Sequence, residues 1–437
     1  MKRSWQLRLH WLTGYGIPRT ACRLLARRGD PVAKLLIDTS QAPNVCALTE
    51  QIRARGPISP FARAGWVTAD AHVVREILRD NRFRTVKPHD RSRLRPIQWV
   101  IAKTNPGILN PLEPPSMLFV DQPEHTRLRR LVMRGFTPRA IDGLRARIQE
   151  VADRELDALA NESESDLVAA YTSRIPIAVI AAMLGIPDDD VRYLQQTSGP
   201  GTRLVSSAIP SWRDYLGAVH AQDQLDAYLD MHIARLRRSG GDNSVLSEVI
   251  RDDSLTHFEV KTAAMLLLGA GFLTTTHMLG NAIVTLLHHP DQLARLRANP
   301  DQWPQAIEEL IRYAGPFLWT VRIASESAEI GGKTVRPNQP VYLLFCGANR
   351  DPAVFLHPNE FDTTRSNARE HVAFGTGIHV CLGATLARME LRIGLQSLFD
   401  RFPHLALAGQ PEWYDSIAVH GYQCLPVTLR PQTGVAA

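Results

Sequence analysis

Between Thr262 and Pro290 the chain carries no Asp, Glu, Lys or Arg, although 22% of all its residues are charged. A helix of that length and character either crosses a bilayer or is wrapped in protein on every side. Gly269, Gly271, Gly280, the run Thr274-Thr275-Thr276, His277 and Asn281 make it too polar for lipid. The expectation is a helix buried inside a protein, with no transmembrane anchor. At 437 residues, 44% of them hydrophobic, the chain can build a core that encloses such a helix together with a bulky cofactor and a substrate.

The flanking sequence reads as mainly α with a small β-rich region. Helices are expected over 42–55, Ala71–Arg79, most of Glu124–Arg237, 291–298, 304–313 and Leu382–Arg401, where Leu382, Leu386, Met389 and Ile393 fall on one face. Thr137-Pro138, Ile186-Pro187 and Gly199-Pro200-Gly201 are expected breaks. Ile58–Ala69 alternates like a hairpin, and Leu318–Leu344 reads as strands turned by Gly331-Gly332. Residues 83–120 read as one long loop and 349–373 as irregular chain.

Five cysteines (22, 46, 346, 381, 424) show no CxxC spacing, which argues against structural zinc and a disulfide framework. An odd count is unremarkable in a reducing compartment, and a cytoplasmic setting is expected. Net charge is +6, with basic residues interleaved with acids through most of the chain and no Lys-rich tail. That pattern suits an acidic protein partner better than nucleic acid. In residues 1–30, Trp5, Leu7, Leu9, Trp11 and Leu12 alternate without holding one helical face. A signal peptide is not expected there, nor a membrane-surface helix; residues 1–41 read as a basic N-terminal extension.

The chemistry concentrates in Phe374-Gly375-Thr376-Gly377-Ile378-His379-Val380-Cys381-Leu382-Gly383. Glycines let backbone approach a flat ligand closely. A helix starting just after Cys381 would favour a thiolate and aim N–H groups at the sulfur. This segment resembles the haem-binding signature of the cytochrome P-450 superfamily, and the likeness extends from about residue 50 to 430. It implies the P-450 fold, a single haem domain over 42–437, and haem b with Cys381 as the iron ligand. Phe374, Gly375 and Gly383 would sit against the ring. His125, Arg129, Arg322 and His379 would hold its propionates, a task that suits Arg.

Further motifs carry the same resemblance. Glu309-Leu310-Ile311-Arg312 looks like the Glu-x-x-Arg pair that anchors the segment leading to the haem loop. Ala270, Gly271 and Thr274 resemble the oxygen-binding helix, where small residues make room for dioxygen and the threonine helps deliver protons. Here Leu273 stands where the family usually has an acid, and Thr274 could instead merely back-bond its own helix. Glu360 stands where similar proteins carry Arg or His, so the Glu309–Arg312 network must be arranged differently.

The resemblance implies a soluble bacterial monooxygenase that hydroxylates a hydrophobic small molecule with dioxygen. Its electrons would come from a separate ferredoxin and ferredoxin reductase, the ferredoxin docking through Arg127, Arg130 and Arg134. Leu273 keeps open a peroxide-using, rearranging or dehydrating haem-thiolate enzyme; a haem sensor or carrier is the remaining alternative. Trp99, Met117, Leu118, Phe272, Leu273, Phe317, Leu318 and Trp319 are the candidate pocket residues.

Overall fold

The computed structural model describes residues 2–37, 44–61, 65–87, 90, 94–201, 203–207, 209–416 and 418–430. The helices that matter below are α1 (Lys2–Trp11), α2 (Ile17–Arg27), α3 (Arg95–Thr104), α4 (Glu124–Met133), α5 (Arg145–Leu159), α6 (Arg174–Met183), α7 (Trp212–Arg238), α8 (His257–His288), α9 (Trp303–Ala314) and α10 (Ala384–Arg401).

All but the last two residues of the uncharged stretch lie within α8. Thr256 opens it with a capping box, accepting from the Glu259 N–H while the Glu259 carboxylate accepts from the Thr256 N–H. The helix is long and apolar enough to cross a bilayer, but most of that apolar window is buried inside the protein. It packs against α5's neighbours α6 and α10 in one apolar core, in which Ile175, Leu268, Leu279, Ile283, Leu391 and Leu395 are all buried. Each such side chain contributes about 1.5–3 kcal/mol on burial. Lys261 at the first turn of α8 pairs with Asp226 of α7 at 2.7 Å, and Asn281 donates to the Ala314 and His420 carbonyls. The helix is thereby fixed along its length.

The β-rich part is a five-stranded sheet. Its strands are β1 (Ser59–Phe61), β2 (Gly65–Thr68), β3 (Phe83–Arg84), β4 (Trp319–Ala324) and β5 (Pro340–Leu344), in the order β1-β2-β5-β4-β3. The expected hairpin is β1–β2, with Ser59 opposite Val67; its turn, 62–64, lies outside the described residues. β2 runs parallel to β5, so two segments almost 280 residues apart share one sheet. Gly331-Gly332 turns a separate small hairpin, Ala328–Ile330 with Lys333–Val335.

Three expectations change. The loop over 83–120 contains β3 and α3, because Leu94-Arg95-Pro96 starts a helix that buries Ile101 and Thr104. The break expected at Gly199-Pro200-Gly201 falls at the end of that motif: the helix from Asp188 runs through Gly199 and Pro200 and ends at Gly201, and a separate short helix begins at Arg203. The N-terminal segment, read without helical character, is helical: α1 and α2 are joined by a π turn, Leu12–Gly16. Its inner face buries Leu7 and Tyr15 against Leu204, Tyr215 and Val219.

Burial, reinforced by His420, holds the His277 imidazole of α8 near 3, against an ordinary 6.5. The unfolded chain takes up this proton in the window between those values while the folded chain does not. The resulting stability is complete above pH 6.5 and is lost as pH falls toward 3. Urea unfolding should show His277→Gln losing about 2 kcal/mol less than the wild type between about pH 7 and about pH 5.

Candidate functional site

The loop before α10 is shaped by two left-handed glycines, Gly375 (φ 66°) and Gly377 (φ 73°). Gly377 is doubly constrained, because a Cβ there would meet the Leu78 carbonyl oxygen at 2.3 Å. The Cys381 N–H donates to the Phe374 carbonyl at 2.9 Å, closing the loop on itself. Cys381 and Val380 are exposed although helices surround them, which puts the thiol on the wall of an interior cleft.

Burial pushes the Cys381 thiol above its ordinary value; the Gly383 N–H, Arg129 and Arg388 pull the other way without prevailing. The helix start alone therefore does not make this sulfur a thiolate, as the sequence suggested it would. A coordinated metal would, since it deprotonates a thiol outright.

Across from the sulfur lie the groups expected to meet carboxylates. The His125 and His379 rings are 4.3 Å apart between centroids. Arg129 donates to the Val380 carbonyl at 2.7 Å, which ties α4 to the cysteine loop. Among the described residues, Arg322 of β4 reaches only the Val321 carbonyl and, at 3.4 Å, the Thr320 hydroxyl. Burial, opposed by Asp121, draws the Arg322 guanidinium down to about 10. Burial, then Arg322, His125 and Arg129, draws His379 to about 3, and its buried Nε2 has no partner among the described residues.

Four basic groups thus crowd together, with Asp121 acting on His125 and Arg322. An anionic ligand with two carboxylates beside a flat ring fits this arrangement. Among the described residues no three His, Cys, Asp or Glu cluster to hold a metal.

α8 leaves one short stretch uncovered in its middle. Ala270 is exposed and Thr274 half-buried in the middle of an otherwise buried helix. The Thr274 hydroxyl donates to the Ala270 carbonyl at 2.7 Å, the back-bond considered above. Gly271 points elsewhere: a Cβ there would meet Ile180 of α6 at 2.6 Å, so its small size serves helix packing. Leu273 is 5% exposed and brings no acid to the cleft.

The candidate pocket residues scatter. Trp99 stands 64% exposed on α3 and Leu118 40% exposed. Phe272 belongs to the central core, and Leu318 and Trp319 to the cluster under β2 and β5. Phe317 bridges to Val419 and packs on the other side of the sheet. Met117 faces a small cavity with Leu128, Leu131 and Thr262.

Behind the loop, Glu309 and Arg312 of α9 form a fully buried bidentate pair, at 2.7 and 2.8 Å. Arg312 also donates to the Asn349, Pro358 and Glu360 carbonyls, pinning the irregular segment. The third member is Arg365, 3.1 Å from Glu309, which the sequence reading missed. The Glu360 side chain points to solvent, 73% exposed, so its negative charge never enters the network. The missed signal was distance along an extended chain: five residues beyond Glu360 still reach the same carboxylate.

A second network was also unforeseen. Glu308 binds Arg388 at 2.6 and 2.9 Å and His371 at 3.2 Å. Although burial opposes it, those hydrogen bonds hold the Glu308 carboxyl at about 2. Arg388 lies over the Phe374 ring at 4.7 Å, so α9, α10 and the cysteine loop are locked together.

Three comparisons bear on this arrangement. Residues 209–416 match the Cytochrome P450 family model. Cytochrome P450 140 of Mycobacterium tuberculosis (strain H37Rv) is 36% identical over 432 residues, 97% of this chain and 98% of that protein. The biotin biosynthesis cytochrome P450 of Bacillus subtilis is 33% identical over 84% of this chain and 91% of its own length. Among solved structures, P450BioI in complex with a hexadec-9Z-enoic acid ligated acyl carrier protein superposes with TM-score 0.80 and 31% identity, covering 90% of this chain and all of that one. CYP109E1 from Bacillus megaterium in complex with testosterone gives TM-score 0.76 and 26% identity, over 88% and 99% of the two chains.

Arg365→Ala is expected to cost about 3–5 kcal/mol in urea unfolding, because it strands a buried carboxylate. Glu360→Ala should stay within about 0.5 kcal/mol of the wild type in the same measurement.

Proposed function

The chain belongs to the cytochrome P450 family and is a haem-thiolate monooxygenase that binds haem b, and on that premise we propose that Cys381 is the iron ligand and that the enzyme hydroxylates a hydrophobic small molecule. The observation that carries this is the convergence of the Cys381 loop with His125, Arg129, Arg322 and His379. His125 and His379 would each offer a ring N–H to a propionate, and Arg129 and Arg322 their guanidinium groups. Phe374, Gly375 and Gly383 would lie along the ring. Bound there, haem supplies oxygen activation, with the thiolate donating electron density that favours O–O cleavage.

The residues of this chain do the rest. The Gly383 N–H donates toward the sulfur and tempers its electron donation. Glu308, Arg388 and the Glu309–Arg312–Arg365 network hold the loop at fixed distance from α8. The Thr274 hydroxyl, oriented by the Ala270 carbonyl, keeps its lone pairs free to accept from a water in the cleft. With Leu273 beside it, protons would reach the cleft through water and Thr274. Peroxide-driven turnover remains the second reading on the same ground.

Electrons would come from a separate ferredoxin and its reductase in the cytoplasm. Arg130 and Arg134 support docking on the α4 side of the loop: both are exposed, and Phe136 of the same segment packs on Gly383. Arg127 is a different case, since it is tied to Glu124 and Glu259.

Reduction under carbon monoxide tests the ligand: a strongly red-shifted Soret band is expected for the wild type and its loss for Cys381→His. A band at the histidine or thiol position in fresh wild type would overturn the assignment. For docking, Arg130→Glu/Arg134→Glu should raise the ferredoxin KM about tenfold at low salt and leave kcat unchanged.

A further inference from the structure

The net charge of +6 is not spread over the molecule. Residues 1–29 contain seven of the 50 Lys and Arg and none of the 44 Asp and Glu, so residues 30–437 are one charge short of neutral on the acidic side. All of the excess positive charge sits on α1, the π turn, α2 and the residues just after it.

The same segment exposes apolar surface. Trp5 (66%), Leu12 (47%), Ile17 (50%) and Leu24 (52%) all face outward, and α3, which packs against α1, adds Leu94 (62%) and Trp99 (64%). These are six of the thirteen large apolar side chains exposed among the described residues. Their spacing explains why the sequence concealed them. Intervals of seven, five and seven residues do not hold one face of a regular helix. The π turn Leu12–Gly16 inserts about one extra residue inside the interval of five, which realigns the stripe. The result is an apolar track about 28 Å long. Arg8, Arg23, Arg27 and Arg28 are exposed alongside it.

We propose that this face docks on an anionic lipid surface. A cationic helix with Trp and Leu on its outer side, lying flat rather than spanning, is the chemistry that an acidic membrane interface recognises. A bilayer also matches the form: an apolar track running along one helical segment suits an extended plane. The segment is anchored on its inner face. Arg3 pairs with Asp223 at 2.6 Å, Trp11 donates to the Pro210 carbonyl, Arg19 to the Ile209 carbonyl and Gln6 to the Asn105 carbonyl. It therefore bears on α3 and α7. Resting on the proposed function, the same lipid surface would concentrate a hydrophobic substrate close to the enzyme.

The test is co-sedimentation of the full-length haem protein with vesicles of phosphatidylcholine alone or with phosphatidylglycerol added, at low and high salt. Binding is expected only with phosphatidylglycerol, weakened by salt. It should fall about tenfold or more in Arg23→Glu/Arg27→Glu and in Trp5→Ser/Leu24→Ser. Both pairs are solvent-facing, and an unchanged carbon monoxide spectrum reports that the fold is intact. Arg130→Glu/Arg134→Glu should leave vesicle binding unchanged. Equal binding to neutral vesicles, no binding to either, or binding of a soluble acidic carrier protein or ferredoxin by this face in place of vesicles would each overturn the proposal. Vesicle binding does not depend on turnover, so its failure would leave the monooxygenase reading standing.

Discussion

The buried Glu309 carboxylate is the fixed point of this molecule. A charge with no solvent exposure is tolerable only when fully paired, and Arg312 and Arg365 together surround it. Their remaining N–H groups then satisfy carbonyls at Asn349, Leu356, His357, Pro358 and Glu360. A long stretch of chain without regular structure is held as firmly as a helix would hold it. The cysteine loop begins where that stretch ends, so the position of the sulfur depends on ion pairs remote from the cleft.

Around the cleft the electrostatics are arranged against the isolated protein. Burial lowers the proton affinity of Arg129, Arg322, His125 and His379; Arg129 lowers that of His125 further, Arg322, His125 and Arg129 lower that of His379, and the buried His379 Nε2 finds no partner among the described residues. Such a cluster makes sense as one half of an interaction. Two carboxylates would satisfy the donors and relieve the repulsion, which explains why four basic side chains from α4, β4 and the loop are brought to one place. The thiol follows the same logic: burial holds it protonated until a metal's charge reverses the balance.

The sequence determined the central helix and the chemistry at its side. A charge-free run of that length, broken by threonines and glycines, has only one stable place in a folded protein, and α8 occupies it. The loop from Phe374 to Gly383 was equally legible, because left-handed glycines and a helix start are local properties of the chain. Three-residue spacing put Glu309 and Arg312 on one helix face, and their place upstream of the cysteine loop, through the resemblance, made that spacing count.

Only the tertiary structure decided the rest. Arg365 replaced the position occupied by Glu360, because reach along irregular chain follows no period. Gly271 proved to be a contact with Ile180, and Trp319 a core residue, because the side a residue faces depends on what packs against its helix or strand. The N-terminal stripe was invisible for the same kind of reason. Its period is broken by a π turn, and that turn exists only in the folded chain, where Gly14, Tyr15 and Gly16 are buried between α1 and the core. Local periodicity is written in sequence; the phase of one element against another is set by packing.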